Sequence, residues 1–167
     1  MKNIEIKARC KDLKKLKLSI LTNGGQFEGK MHQIDTYFNT HTGRLKLREI
    51  NENKSVLIYY ERKDTLKSKE SDYFIYPTLD PKTLKIILTK SNGIKVVVDK
   101  VRELYIFKHT RIHIDKVKKL GNFMELETVI TTQTKKEAYK EHKKVIEMLR
   151  INVKDLITNS YSDLLLK

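Results

Sequence analysis

The chain has 167 residues, 39% of them hydrophobic and 34% charged, with two prolines and six glycines. That length and composition suit one domain built on one core, residues 1–167, and exclude disordered and collagen-like chains. The 35 Lys and Arg outnumber the 21 Asp and Glu for a net charge of +14, which attracts polyanions: nucleic acid, acidic membranes or phosphorylated small molecules.

Met1-Lys2-Asn3 leads into a patterned strand with no apolar leader or membrane-length run, and Cys10 has no cysteine to pair with. A soluble protein of the reducing cytoplasm, with no membrane partner, is expected. Alternating apolar and polar residues mark the first strand at 3–10. Leucines and Ile20 at helical spacing predict a helix from Asp12, its cap, to Thr22, stopped by Asn23-Gly24-Gly25. Strands follow at 33–38, 44–50, 55–62 and 72–76. Asp80-Pro81 opens a second helix to about Lys90, with proline at its first position and Ser91-Asn92-Gly93 after it. Strands at 95–107, 110–115 and 123–131 precede a third helix from about Lys135 to Leu149 and a fourth from about Val153 to Leu165. This order favours an α+β fold with an antiparallel sheet over a βαβ fold.

Residues two apart in a strand share a face. Glu5, Lys7 and Arg9 oppose Ile4, Ile6 and Ala8; Arg44, Lys46 and Arg48 oppose Leu45 and Leu47; Tyr60 and Arg62 oppose Leu57 and Tyr59. Lys100 and Arg102 flank Val101, Arg111, His113 and Asp115 oppose Ile112 and Ile114, and Glu125 and Glu127 oppose Met124, Leu126 and Thr128. One reading is a two-layer protein that shows its charged faces to water. The other is a sheet closed into a barrel of about eight strands, with charge inside and room for one small ligand. The first is the usual meaning of such alternation; the dominance of Arg and Glu, and their sorting by strand, weigh against it and leave both readings open.

A closed sheet would bring eight cations together: Lys7, Arg9, Lys46, Arg48, Arg62, Lys100, Arg102 and Arg111. Glu5, Asp115, Glu125 and Glu127 would join them. Buried like charges need a compensating partner, and a phosphate-rich anion bridged to the carboxylates by a hard divalent cation supplies it. Arginine forks and lysine charges suit phosphate, and oxygen ligands select Mg²⁺ or Mn²⁺ over zinc, for which the five histidines show no ligand spacing.

An ordered set of motifs resembles the CYTH superfamily of triphosphate tunnel metalloenzymes, and most closely its class IV adenylyl cyclase-like branch. The set runs from Asn-Ile-Glu-Ile-Lys-Ala-Arg (3–9), Gln-Ile-Asp-Thr-Tyr-Phe (33–38) and Gly-Arg-Leu-Lys-Leu-Arg-Glu (43–49) through Ile-Tyr-Tyr-Glu-Arg (58–62) and Ser-Asp-Tyr (71–73). It continues with Lys-Val-Arg-Glu-Leu-Tyr (100–105), Arg-Ile-His-Ile-Asp-Lys-Val (111–117), Leu-Gly-Asn-Phe-Met-Glu-Leu-Glu (120–127) and Ser-Tyr-Ser-Asp-Leu-Leu (160–165). The resemblance implies a closed eight-stranded antiparallel tunnel with flanking helices, a triphosphate substrate and a divalent metal. In the family's Glu-x-Glu-x-Lys signature, Glu5 and Lys7 match while Asn3 replaces the first glutamate, and Glu125 and Glu127 match the distal acidic pair.

The expected roles are therefore metal binding for Glu5, Glu125, Glu127 and Asp115, and triphosphate binding for the eight cations. Lys7 or Lys100, its pKa lowered among cations, is the candidate general base. Tyr37 and Phe38 read as packing, Cys10 likewise, and His113 as a wall residue or a tunnel residue. Three functions stand: an adenylyl cyclase-like enzyme converting ATP to cyclic AMP and pyrophosphate; a triphosphatase acting on inorganic triphosphate, thiamine triphosphate or a nucleotide; and a polyphosphate- or nucleotide-binding module. No nucleic-acid motif is present, nucleic acid is not an expected partner, and the cyclase-like resemblance suggests a homodimer.

Overall fold

The computed structural model describes residues 2–62 and 69–167, with the side chains of Lys2, Arg62 and 69–72 outside the description. Eight strands carry the fold: β1 (Lys2–Arg9), β2 (Gln26–Phe38), β3 (Arg44–Ile50), β4 (Lys54–Arg62), β5 (Lys69–Thr78), β6 (Ile94–Phe107), β7 (Thr110–Val117) and β8 (Gly121–Val129). They close into an antiparallel barrel in the order β1-β5-β4-β3-β2-β6-β7-β8, so β1 joins β5 on one side and β8 on the other. Closure decides between the two readings of the alternation. Glu5, Lys7, Lys100, Arg102, Asp115 and Glu125 are all buried, so the charged face is the inside of the barrel and not a wetted surface.

The apolar faces point outward and need cover. Helices α1 (Leu13–Thr22) and α3 (Lys135–Met148) supply it, burying Leu16, Ile20 and Val145 against Ile6, Ala8, Ile112, Ile114 and Leu126. Asp12 caps α1 by accepting from the Lys15 amide, and Thr134 with Glu137 forms a reciprocal capping box on α3. Helix α2 (Pro81–Asn92) is capped by Asp80 and buries no residue.

Two elements differ from the sequence expectation. β2 begins at Gln26 and not at 33, because its first half is exposed and broken by a register shift between Phe27 and Gly29, which removes the alternation. The expected fourth helix breaks into a short 3₁₀ turn (Val153–Asp155) and α4 (Tyr161–Leu165). The cause lies in β1, which among the described residues pairs with β5 through Lys2–Glu5. Past Glu5 that edge is taken by the intervening segment: Leu156 bridges Ala8, and the Ile157 amide donates to the Lys7 carbonyl at 2.9 Å. Backbone bonds on a sheet edge here win over helix continuation, and Ser160 with Asp163 then caps a new helix.

A buried polar chain pins α3 to the barrel. His142 Nδ1 lies 2.9 Å from Thr128 Oγ1, which lies 2.8 Å from Thr110 Oγ1, and Thr110 donates to Glu141 at 2.7 Å. Burial pushes His142 down to about 4, against a smaller upward pull from Glu141, and its Nε2 is buried without a partner. A histidine depressed in the folded state stabilises it above the unfolded pKa and is lost as pH falls. Between pH 6.5 and about 4 the unfolded chain therefore binds a proton that the folded chain refuses. Unfolding free energies of the wild type from urea titrations should fall across that window by on the order of 3 kcal/mol more than those of His142→Gln; parallel pH profiles for the two proteins would refute the assignment.

Candidate active site

The barrel encloses a cavity of about 210 Å³ walled by the inward residues of all eight strands and by Ser160 and Tyr161 of the C-terminal segment. On one side β1 and β8 lie in register so that Glu5 faces Glu127 and Lys7 faces Glu125. Carboxylate oxygens of Glu5, Glu125 and Glu127 come within 4.8 Å of one another. Three carboxylates so close repel unless cations stand among them. Lys7 Nζ lies 3.6 Å from Glu125, Arg102 donates to the same carboxylate at 2.8 Å, and Arg111 and His113 each approach Glu127 at 3.2 Å. Burial raises the Glu125 carboxyl, but Lys7 and Arg102 outweigh it and hold the group ionised well below the usual range. Burial likewise raises Glu127 and is outweighed by His113, Arg111 and Arg102.

Two bidentate pairs brace the walls, each between direct cross-strand neighbours. Arg102 donates to both oxygens of Asp115 at 2.6 Å, joining β6 to β7. Arg48 donates to both oxygens of Asp35 at 2.6 and 2.7 Å, joining β3 to β2, and Lys46 adds a third bond to Asp35 at 2.9 Å. Asp35 was not singled out by sequence reasoning, although its place between Gln33 and Tyr37 on the inner face of β2 was visible.

Tyr161, also unassigned by the sequence, enters from α4. Its hydroxyl donates to Asp115 at 2.8 Å, and Lys7 and Lys100 sit over its ring at 4.1 and 5.2 Å from the centroid. Burial, then the charge of Arg102, pushes Lys100 down to about 7, with Asp115 pulling the other way. Burial and Arg102 also lower His113 from its ordinary value, against the upward pull of Glu127. Phe123 packs against Tyr161 at 5.0 Å between centroids, and Arg9 lies over the Phe123 ring at 5.2 Å from its centroid.

The structure therefore brings Glu5, Lys7, Lys46, Arg48, Lys100, Arg102, Arg111, Glu125 and Glu127 to one cavity. It places two expected residues elsewhere. Arg9 is exposed beyond the Phe123–Tyr161 pair and off the cavity wall. Asp115 is fully buried behind Arg102, with oxygens engaged by Arg102, Tyr161 and Lys100, and lies outside the carboxylate cluster. Arg62 ends β4, and its side chain is outside the described residues. Tyr37, read as packing, lines the cavity with its hydroxyl 3.3 Å from Lys46, while Phe38 is buried off the cavity wall.

The donor set fits a hard divalent cation. Three carboxylates converge, and Asn3 Oδ1, on the same cavity wall, is buried with no hydrogen-bond partner among the described residues. The cavity also holds an orphaned group suited to an anion: Arg111 Nε is buried without an acceptor among the described residues.

Comparison with known proteins agrees with this geometry. The CYTH domain matches residues 1–161. A protein of Methanocaldococcus jannaschii named "Putative adenylate cyclase" is 27% identical over 98% of both chains. Among solved structures, the PH1012 protein of Pyrococcus horikoshii superposes with a TM-score of 0.85 at 27% identity, covering 97% of this chain and 98% of that one. A Hippeastrum structure described as a "putative adenylyl cyclase" with a dominant triphosphatase activity shares the fold at a TM-score of 0.64, with 16% identity over 98% of this chain and 94% of its own. The closed barrel, its charged interior and the domain match agree: the chain belongs to the CYTH family.

Proposed function

We propose that the protein is a metal-dependent enzyme that binds ATP by its triphosphate inside the barrel and converts it to cyclic AMP and pyrophosphate. The observation that carries this reading is the convergence of the Glu5–Glu125–Glu127 cluster and a set of lysines and arginines on one buried cavity. The adenylate cyclase name of the M. jannaschii relative supports the choice of reaction.

Glu5, Glu125 and Glu127, with the Asn3 amide oxygen, would hold Mg²⁺ or Mn²⁺. Such an ion supplies charge neutralisation between the carboxylates and the phosphate oxygens. Lys46, Arg48, Arg102 and Arg111 cradle the phosphates, and their charges stabilise the negative charge that grows on the leaving pyrophosphate. Lys7, set between Glu125 and the Tyr161 ring, positions the phosphate chain over the cluster. Lys100 is the general base: at about 7 its amine is free often enough at neutral pH to take the ribose 3′-hydroxyl proton. The 3′-oxygen then bonds to the α-phosphorus as the bond from that phosphorus to the β-phosphate bridge breaks. Asp115 serves as a positioning residue that fixes Arg102.

A triphosphatase is the second reading, favoured by the activity described for the Hippeastrum structure. In it the same cradle presents the terminal phosphorus to water. Incubation with ATP and Mn²⁺ should give cyclic AMP and pyrophosphate; orthophosphate without cyclic AMP would replace the first reading by the second.

Glu125→Gln combined with Glu127→Gln should abolish turnover and weaken Mn²⁺ binding by at least about tenfold in calorimetry, and full activity there would remove the metal assignment. Asp115→Asn should instead lower stability by about 3 kcal/mol, because a buried arginine loses its partner, while Mn²⁺ binding measured at a temperature where the variant is folded stays close to wild type. Because Lys100 acts as its free amine, kcat/KM should climb as pH rises through about 7. Lys100→Arg, which cannot lose its proton in this range, should be slow throughout and lack that limb.

A further inference from the structure

Arg9 has the parity of the barrel interior but stands outside its cavity, and the proposed reaction makes no use of it. It borders instead a second cleft, of about 630 Å³, on the outer side of the barrel where β1 runs into α1 and α3 ends. That volume is in the range of small-molecule sites. No described residue lines both spaces.

The floor of the cleft is a place where the main core reaches the surface. Leu16, Met124 and Leu149 are buried there, and Met148 and Ile151 pack half-buried against the same core. The rim is basic. Arg9, Lys11, Lys15 and Arg150 are all exposed, and among the described residues none of their side chains joins an ion pair. Two carboxylates, Asp12 and Asp155, share the wall, and Asp12 is already engaged as the cap of α1, accepting from the Lys15 amide at 2.9 Å.

Arg150 keeps its place against a backbone cost. It follows the last turn of α3 with φ at 52°, in the left-handed region where glycine is the least strained residue. Its amide donates to the Glu147 carbonyl and the Ile151 amide to that of Ile146, a reversal that helices usually build on glycine. The turn puts Ile151 on the floor and Arg150 on the rim. The side chain, and not the backbone, accounts for an arginine at this position.

A bare phosphate would meet the rim and leave the apolar floor wet. A neutral hydrocarbon would cover the floor and leave the four cations without a counter-charge. We infer that the cleft binds a free amphiphilic anion, its phosphate or carboxylate head among Arg9, Lys11, Lys15 and Arg150 and its single apolar chain on Leu16, Met124, Met148 and Ile151. The site stands whichever reaction the barrel performs. It does adjoin the barrel's chemistry: Ala8 and Met124 are cross-strand partners on its wall, and the next pair on that ladder, Lys7 with Glu125, faces the charged cavity.

The four methionines make a test that localises the ligand. Met124 and Met148 line the cleft, whereas Met31 lines the barrel cavity. Decyl phosphate, titrated below its micellar concentration into the full chain carrying ¹³C-methyl methionine, should shift the Met124 and Met148 signals and leave Met31 in place. Hexyl phosphate should bind at least about tenfold more weakly, because fewer methylenes reach the floor. Decyltrimethylammonium, with the same chain and the opposite charge, should move neither signal. Arg150→Gly suits the left-handed turn and keeps the fold, and it should weaken decyl phosphate about fivefold. Movement of Met31 in place of the other two, equal binding of both head groups, or wild-type affinity in Arg150→Gly would overturn the assignment. Capture by phosphatidylglycerol vesicles with no response to monomeric decyl phosphate would overturn it too, and make the cleft a membrane contact.

Discussion

The bidentate grip of Arg102 on Asp115 is the contact on which the interior of this barrel depends. Both groups are removed from water, and an arginine or an aspartate left alone there would cost several kcal/mol. Matched fork to fork across neighbouring strands, they satisfy one another and also tie β6 to β7. The pair is then used again. Arg102 reaches on to Glu125, Asp115 accepts from Tyr161, and Lys100 leans on Asp115. A structural contact thereby sets the orientation of one wall of the cavity. Arg48 and Asp35 repeat the device between β3 and β2. The carboxylate cluster is different in kind: its members come together at positions where strand register alone sets Glu5 beside Glu127, and their mutual repulsion is left for surrounding cations to offset.

Much of this was legible in the chain because a strand has only two faces. Once Glu5 and Lys7, or Glu125 and Glu127, are known to share a face, closure places them inside together, and the period of two does the rest. What alternation cannot show is how far along the barrel a residue lies. Arg9 has the right parity but sits one step too far, beyond Phe123, and so falls outside the cavity. Asp115 has the right parity as well, yet it faces an arginine across the ladder, a matter of register between two strands that neither strand reveals by itself. Asp35 was hidden for the opposite reason. It lies in a strand whose first half is polar and irregular, so its inner face gave a weak signal.

Tyr161 was beyond such reasoning altogether. A run with helical spacing from 153 to 165 looks continuous, and the edge of β1 at Lys7 and Ala8, which takes Ile157 and Leu156, explains why it opens into an extended crossing and resumes at Ser160. That crossing aims the tyrosine ring beneath Lys7 and Lys100. Local preference yields there to bonds with a sheet edge, a tertiary demand that no short window of sequence contains.

The bond between the Ile157 amide and the Lys7 carbonyl carries a consequence for how the barrel closes. It joins segments from the far ends of the barrel's history: the first strand and a crossing that follows all eight. Contacts so distant along the chain are slow to close, because the intervening loop entropy must be surrendered first. The β1–β8 ladder that closes the ring pairs residues almost as remote, Asn3 with Val129 through Arg9 with Phe123, so both closures carry the same kind of entropy cost. The crossing that seats Tyr161 beneath Lys7 is thereby bound to the very strand whose pairing makes the sheet a barrel.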